Sequence, residues 1–129
     1  MINKAHFILY VKDQQLSTEF YSNLLNKKPT LNTPGMTEFQ LCENSILGLM
    51  PGSGIEKLLE NKIEVIISAQ VKAKTELYIV VDEVNKYMER AVDLNVQVLS
   101  LPQERDWGHK VAYILDLDQH VIGIAEIIK

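Results

Sequence analysis

Two stretches of this chain carry nearly the same pattern of apolar and polar positions, seventy residues apart. Ala5 to Val11 is a run rich in aromatic and β-branched side chains, which predicts a largely buried strand. After Lys12-Asp13, apolar residues fall at Leu16, Phe20, Tyr21, Leu24 and Leu25, a spacing that traces one face of a helix, with Ser17 as a weak N-cap candidate. In the second stretch Glu76 to Val81 is again a strand. It leads through Asp82-Glu83 into a helix over Val84 to Leu94, with Val84, Tyr87, Met88, Ala91 and Val92 on one face. His6 and Glu76 head the two strands at equivalent places. A duplicated strand–helix unit with a polar residue at each strand head predicts two half-modules around one shared site.

The remaining elements follow from punctuation. Pro29, Asn32, Pro34 and Gly35 mark a turn-rich stretch. Thr37 to Cys42 and Ser45 to Met50 read as strands around a Glu43-Asn44 turn, where Asn44 can take a left-handed conformation. Pro51-Gly52-Ser53-Gly54 ends the first half. In the connection that follows, Ile55 to Leu59 is a helical turn, and Val65-Ile66-Ile67 is a short strand or a packed connection. Val96 to Leu101 is a strand, Pro102 to Gly108 a polar loop, and Lys110 to Leu115 and His120 to Ile127 are strands joined at Asp116-Leu117-Asp118-Gln119. The expected class is α+β, one domain made of two modules (1–51 and 76–129) joined by a linker over 52–75. Alternation places Phe7, Leu9 and Val11 on one face of the first strand and His6, Ile8 and Tyr10 on the other. In the second copy it sets Leu77, Ile79 and Val81 against Glu76, Tyr78 and Val80. The wholly apolar sets suit a helix-facing core. The mixed sets suit the wall of a small-molecule cavity.

Composition narrows the function classes. With 129 residues, 47% of them apolar and 23% charged, the chain is an ordinary globular domain. Its net charge is −4, and its densest basic stretch is only Lys72-Ala73-Lys74, so nucleic acid is not an expected partner. Apolar runs such as Val111 to Leu115 are too short to span a membrane, and Met1-Ile2-Asn3-Lys4 carries no leader pattern. The single cysteine, Cys42, excludes an internal disulfide and fits a reducing, cytoplasmic setting. With no His or Lys close by in sequence, it is expected to be a buried, inert thiol. No phosphate loop, nucleophile elbow or clustered metal motif is present.

Three further pieces give the order its specificity: Val11-Lys12-Asp13 followed by Phe20-Tyr21; Val80-Val81-Asp82; and Arg105-Asp106-Trp107-Gly108-His109 leading into Tyr113-Ile114-Leu115-Asp116-Leu117-Asp118. Together they resemble the vicinal oxygen chelate superfamily, which includes glyoxalase I, bleomycin-binding resistance proteins, fosfomycin-modifying enzymes and extradiol dioxygenases. The resemblance runs over essentially the whole chain. It implies two βαβββ-type modules forming a U-shaped mixed sheet around a cavity, commonly completed in a homodimer. In catalytic members a divalent metal sits on four strand positions, which fall here at His6, Gly48, Glu76 and Gly123. Glycine offers no side-chain ligand, so two of four remain and no bound metal is expected unless a partner subunit or His109 donates a third. Glu126 points to the opposite face from Gly123 and cannot replace the missing carboxylate. Glyoxalase I chemistry, which rests on metal-held enediolate, is therefore not expected. The usual Pro and Gly of the last turn are replaced by Leu117 and Gln119, which predicts a changed turn type.

The expected ligand-binding residues are His6, Tyr10, Glu76, Tyr78, Trp107 and Tyr113, with Glu76 and His6 as the candidate catalytic pair. Each has a plainer reading. His6 could cap a strand, Glu76 could be a solvated strand head or pair with His6, Trp107 could be a lid, and the tyrosines could be sheet packing. His109 and His120 are expected to be exposed. The reading that follows is a small-molecule binding protein without cofactor. The alternative is a lyase or isomerase with Glu76 as general base.

Overall fold

A computed structural model describes residues 1–66, 70 and 73–129. The chain divides into two compact units, residues 1–67 and 68–129, each with one four-stranded mixed sheet. Of the expected packed connection Val65-Ile66-Ile67, Ile67 lies outside the described residues, as does Lys72 of the basic stretch Lys72-Ala73-Lys74.

In the first unit the chain runs β1 (Ala5–Val11), α1 (Gln14–Leu25), β2 (Leu31–Thr33), β3 (Met36–Cys42), β4 (Ser45–Pro51) and α2 (Gly52–Leu58). The sheet order is β1-β4-β3-β2, with β1 parallel to β4 and the other pairs antiparallel. Helix α1 begins two residues earlier than its apolar stripe. Asp13, not Ser17, is the N-cap, and its carboxylate accepts from the Leu16 N–H at 2.9 Å. Ser17 is instead buried inside the helix. Asn26 closes the helix at φ 51°, the left-handed conformation that asparagine tolerates. Tyr21 and Leu24 on α1, with Phe39, Leu47 and Leu49 on β3 and β4, form the buried core. A buried hydroxyl pair, Thr18 with Thr37 at 2.8 Å, ties α1 to β3.

Four expectations change here. The turn-rich stretch contains β2, a short edge strand with every residue exposed, which leaves no hydrophobic alternation to read. Asn44 does not take a positive φ; its carbonyl accepts from the Ala5 N–H at 3.0 Å instead. Cys42 is exposed, because it sits at the hairpin end of β3 beyond a bulge between Gln40 and Cys42. Helix α2 also starts at Gly52, inside a segment that reads as a turn. The side chain of Val65 packs so close to Gly52 that a Cβ there would lie 2.9 Å away, so the connection is a packed one.

The second unit runs β5 (Glu76–Val80), α3 (Val84–Asp93), β6 (Val98–Glu104), β7 (His109–Leu115) and β8 (Val121–Ile127), with sheet order β5-β8-β7-β6. Both units are thus βαβββ in order, and the duplication seen in the sequence is a duplication of topology. Val84 and Ala91 of α3 pack with Ala112, Ile114, Ile122 and Ile124 in the core. Strand β6 runs on through Pro102 to Glu104, so the loop is only 105–108. Proline is admitted because β6 is an edge strand, where a missing N–H breaks no ladder. In the β7–β8 turn Gln119 takes φ 70°, so the glycine-like conformation is kept without the glycine.

Candidate functional site

Register pairs the residues of each face as alternation predicted, but β1 is not the largely buried strand expected: it buries Val11 and leaves Phe7 51% exposed. In the first unit His6, Ile8 and Tyr10 lie in register with Ile46, Gly48 and Met50 on β4, and Gly48 is in turn opposite Glu38 on β3. His6 and Tyr10 are exposed, Tyr10 at 37%. Glu38, which the sequence did not single out, brings a carboxylate oxygen to 3.4 Å from His6 Nδ1. Gly48 makes this face close-packed: a Cβ there would lie 3.2 Å from Ile8 Cγ1 and 3.3 Å from Met36 Sδ. An open cleft of about 580 Å³ between α1 and β2, beside Gln14, Thr18, Asn32 and Pro34, contains none of the expected site residues. The Gln14 amide there is already bonded to Thr33, Thr37 and Gly35.

The second unit gathers more of the expected residues. Tyr78 lies in register with Gly123, and Gly123 with Tyr113. A Cβ on Gly123 would lie 2.8 Å from Tyr78 Cδ2, 3.1 Å from Glu76 Oε2 and 3.2 Å from Tyr113 Cε1. Glu76, Tyr78 and Tyr113 therefore converge over a glycine. Trp107 joins them from the 105–108 loop, its indole N–H donating to the Tyr78 hydroxyl at 3.0 Å while the side chain stays exposed. His109 completes the group: its Nδ1 is 2.6 Å from the same hydroxyl, and its ring stacks on Tyr78 at 5.8 Å. Burial first, then the charges of Glu76 and Tyr78, hold the Tyr113 phenol above its ordinary pKa, against the opposing Arg105 guanidinium. Tyr113 is thus a proton-bearing group beside a carboxylate at neutral pH. Arg105 reaches Ser100 Oγ at 3.0 Å and lies over the Tyr113 ring, with its Nε–H buried and without a partner among the described residues.

Neither histidine expected to be exposed is so; both are half-buried, and each makes a short bond. His120 Nδ1 is 2.8 Å from Asp116 Oδ2, and Asp116 Oδ1 accepts the N–H groups of Asp118 and His120. Burial alone lowers the His120 pKa, but the hydrogen bond and charge of Asp116, with Asp118 adding, outweigh it and leave the pKa above 6.5. A raised folded-state pKa means that this clasp stabilises fully below about pH 6.5 and that its contribution is lost as pH rises through the folded value. The stability gap between the protein and its Asp116→Asn variant is therefore expected to be larger at pH 6 than at pH 9 in urea melts. An equal gap at both would remove the charge from the account.

The donor set does not fit the divalent metal that the fold implies. Gly48 and Gly123 supply no ligand, and the space beside Gly123 is taken by two tyrosines and Glu76. Among the described residues the one cluster of three metal-type donors within 4.8 Å is Asp116, Asp118 and His120, whose Asp116 oxygens already hold the turn.

Paired βαβββ units, with a His and a Glu at equivalent strand heads, define the vicinal oxygen chelate class. The chain belongs to the glyoxalase-like domain family, which matches residues 5–129. No curated protein matches it significantly. Among solved structures it is similar to a glyoxalase/bleomycin resistance protein/dioxygenase family enzyme from Burkholderia phytofirmans PsJN (17% identity, 95% of this chain and 97% of that one, TM-score 0.79). It is also similar to a genomically encoded fosfomycin resistance protein from Listeria monocytogenes (21% identity, 95% and 90%, TM-score 0.68). A third is a lactoylglutathione lyase from Agrobacterium tumefaciens (20% identity, 94% and 90%, TM-score 0.70). At these identities the likeness is one of fold. No helix among the described residues is long and apolar enough to cross a membrane.

Proposed function

We propose that this glyoxalase-like protein is a metal-independent, cytoplasmic small-molecule binding protein, working as a homodimer and sequestering its ligand. The observation that carries the reading is the replacement of a metal-ligand position by an aromatic and carboxylate wall: Tyr78, Tyr113 and Glu76 crowd the place where a side chain at Gly123 would stand. Apolar ring faces with a few fixed polar tips are the usual make-up of a ligand surface. Trp107 adds an exposed ring held in one orientation by its bond to Tyr78. On the first unit His6, paired with Glu38, and Tyr10 form the corresponding polar face.

Native mass spectrometry of protein purified without chelator, with metal analysis of the same sample, tests the reading. A metal-free dimer carrying a co-purified small molecule is the expected result. One tightly held divalent ion per subunit would overturn it.

A second reading, a lyase or isomerase, is favoured by one observation: a carboxylate, Glu76, stands beside the proton-bearing phenol of Tyr113 on one face. That is the arrangement of a general base with an acid. Turnover that survives Glu76→Gln would remove it.

A further inference from the structure

Trp107, Tyr78 and His109 form a chain of two hydrogen bonds, the first of which has its direction fixed by chemistry. An indole N–H only donates, so the 3.0 Å bond makes Tyr78 Oη an acceptor. The hydroxyl has one proton of its own, and its only other partner among the described residues is His109 Nδ1 at 2.6 Å. A phenolic oxygen can also accept twice, so the second bond has two possible directions; in one of them the Tyr78 proton lies on it and Nδ1 is the acceptor. In that arrangement the ring proton resides on Nε2, which has no hydrogen-bond partner among the described residues. His109 stands at the head of β7, half-buried, on the same sheet face as Tyr113 and Gly123. Its plane is held near that of Tyr78, 24° apart.

We propose that the Tyr78 hydroxyl donates to His109 Nδ1, and that His109, set in this way as an Nε2–H donor by the Trp107–Tyr78 relay, is a ligand-recognition residue selecting ligands that carry a neutral hydrogen-bond acceptor such as a carbonyl oxygen beside a flat ring. The proposal rests on the binding reading above and adds to it a residue and a ligand chemistry. The relay explains two details at once. A loop tryptophan 56% exposed keeps a fixed indole N–H bond, and a histidine beside a tyrosine gives up one nitrogen to it. Trp107 and Tyr78 act through His109 in this role, as positioning residues. A donor whose rotamer and tautomer are set before binding loses little on complex formation, which is the advantage of pre-organisation.

The test is NMR of the full chain with benzamide, a flat ring with a carbonyl acceptor, as the probe. In the unliganded protein the Trp107 indole N–H is expected to exchange with solvent at least about threefold more slowly than in Tyr78→Phe, where its acceptor is gone. Benzamide is expected to shift the His109 ring resonances. His109→Phe should weaken benzamide binding roughly threefold to tenfold, the loss of one neutral hydrogen bond. His109→Gln should stay within about twofold, because its amide oxygen can take the Tyr78 proton while its NH₂ donates outward. A Tyr78→Phe variant with unchanged indole exchange overturns the relay. Benzamide that shifts Glu76 and Tyr113 but not His109, or that binds His109→Phe as well as the parent, overturns the recognition role and leaves the binding reading standing. Benzamide that shifts nothing, together with a ligand-free mass, overturns both.

Discussion

Phe39→Ala is expected to cost about 3–5 kcal/mol, the usual loss for truncating a fully buried phenylalanine. Phe39 is 0% exposed on β3, in register with Leu47 and on the face where Leu49 is buried too. Helix α1 covers that face with Tyr21 and Leu24, at 1% and 0% exposure. Neighbours fixed in a sheet on one side and a capped helix on the other have little room to collapse into the void, so the loss belongs at the upper end of the range. Against a typical domain stability of about 5–15 kcal/mol, this brings the chain close to unfolding at ambient temperature. Urea melts measure it directly. A loss below about 1 kcal/mol would mean that the first unit is not built around this residue.

The second large effect is expected at Gly123. In Gly123→Ala the new methyl would stand 2.8 Å from the Tyr78 ring, closer than real contacts allow, with Glu76 Oε2 and Tyr113 Cε1 at 3.1 and 3.2 Å on its other sides. The ring cannot swing freely, since its hydroxyl is bonded to both Trp107 and His109. Overpacking of this kind costs about 1–3 kcal/mol. It should also move the fluorescence emission of Trp107, the sole tryptophan. Gly48→Ala is the informative comparison. Its nearest atoms are Ile8 Cγ1 at 3.2 Å and Met36 Sδ at 3.3 Å, and the methionine can yield, so the cost should be smaller. Equal, small losses for the two variants would show that the wall around Gly123 is looser than the distances imply.

The architecture was legible where burial leaves a period. Both long helices follow from spacing alone, because each buries a stripe of side chains, whereas β1 and β5 follow from their runs of aromatic and β-branched residues although each buries a single residue, Val11 and Leu77. The elements that were missed are those whose formation depends on partners instead. Three-residue β2 exists through pairing with β3, and α2 forms on glycines, poor helix formers, against Val65. Strand β6 continues through a proline only because it ends the sheet. Of the site, the convergence of Glu76, Tyr78, Trp107 and Tyr113 could be anticipated from parity and from the loop sequence. Glu38 could not. Counted back from the Cys42–Ser45 pair, the hairpin would set Phe39 opposite Gly48. The bulge between Gln40 and Cys42 shifts the register by one, so Glu38 lies there instead and its carboxylate comes beside His6. His109 was hidden for a different reason: its role depends on where the Tyr78 ring leans, which no spacing reports.

Pro102 has a consequence beyond the length of β6. A strand at the end of a sheet offers a row of unused N–H and C=O groups to any passing chain, the usual starting point of fibre growth. Here β6 lacks one of those N–H groups at Pro102, and its pairing with β7 is broken by two register shifts, so it presents no continuous template. At the far edge of the other sheet, β2 is only three residues long. These two edges, of the four that the two sheets have, are thus poor seeds for open-ended polymerisation.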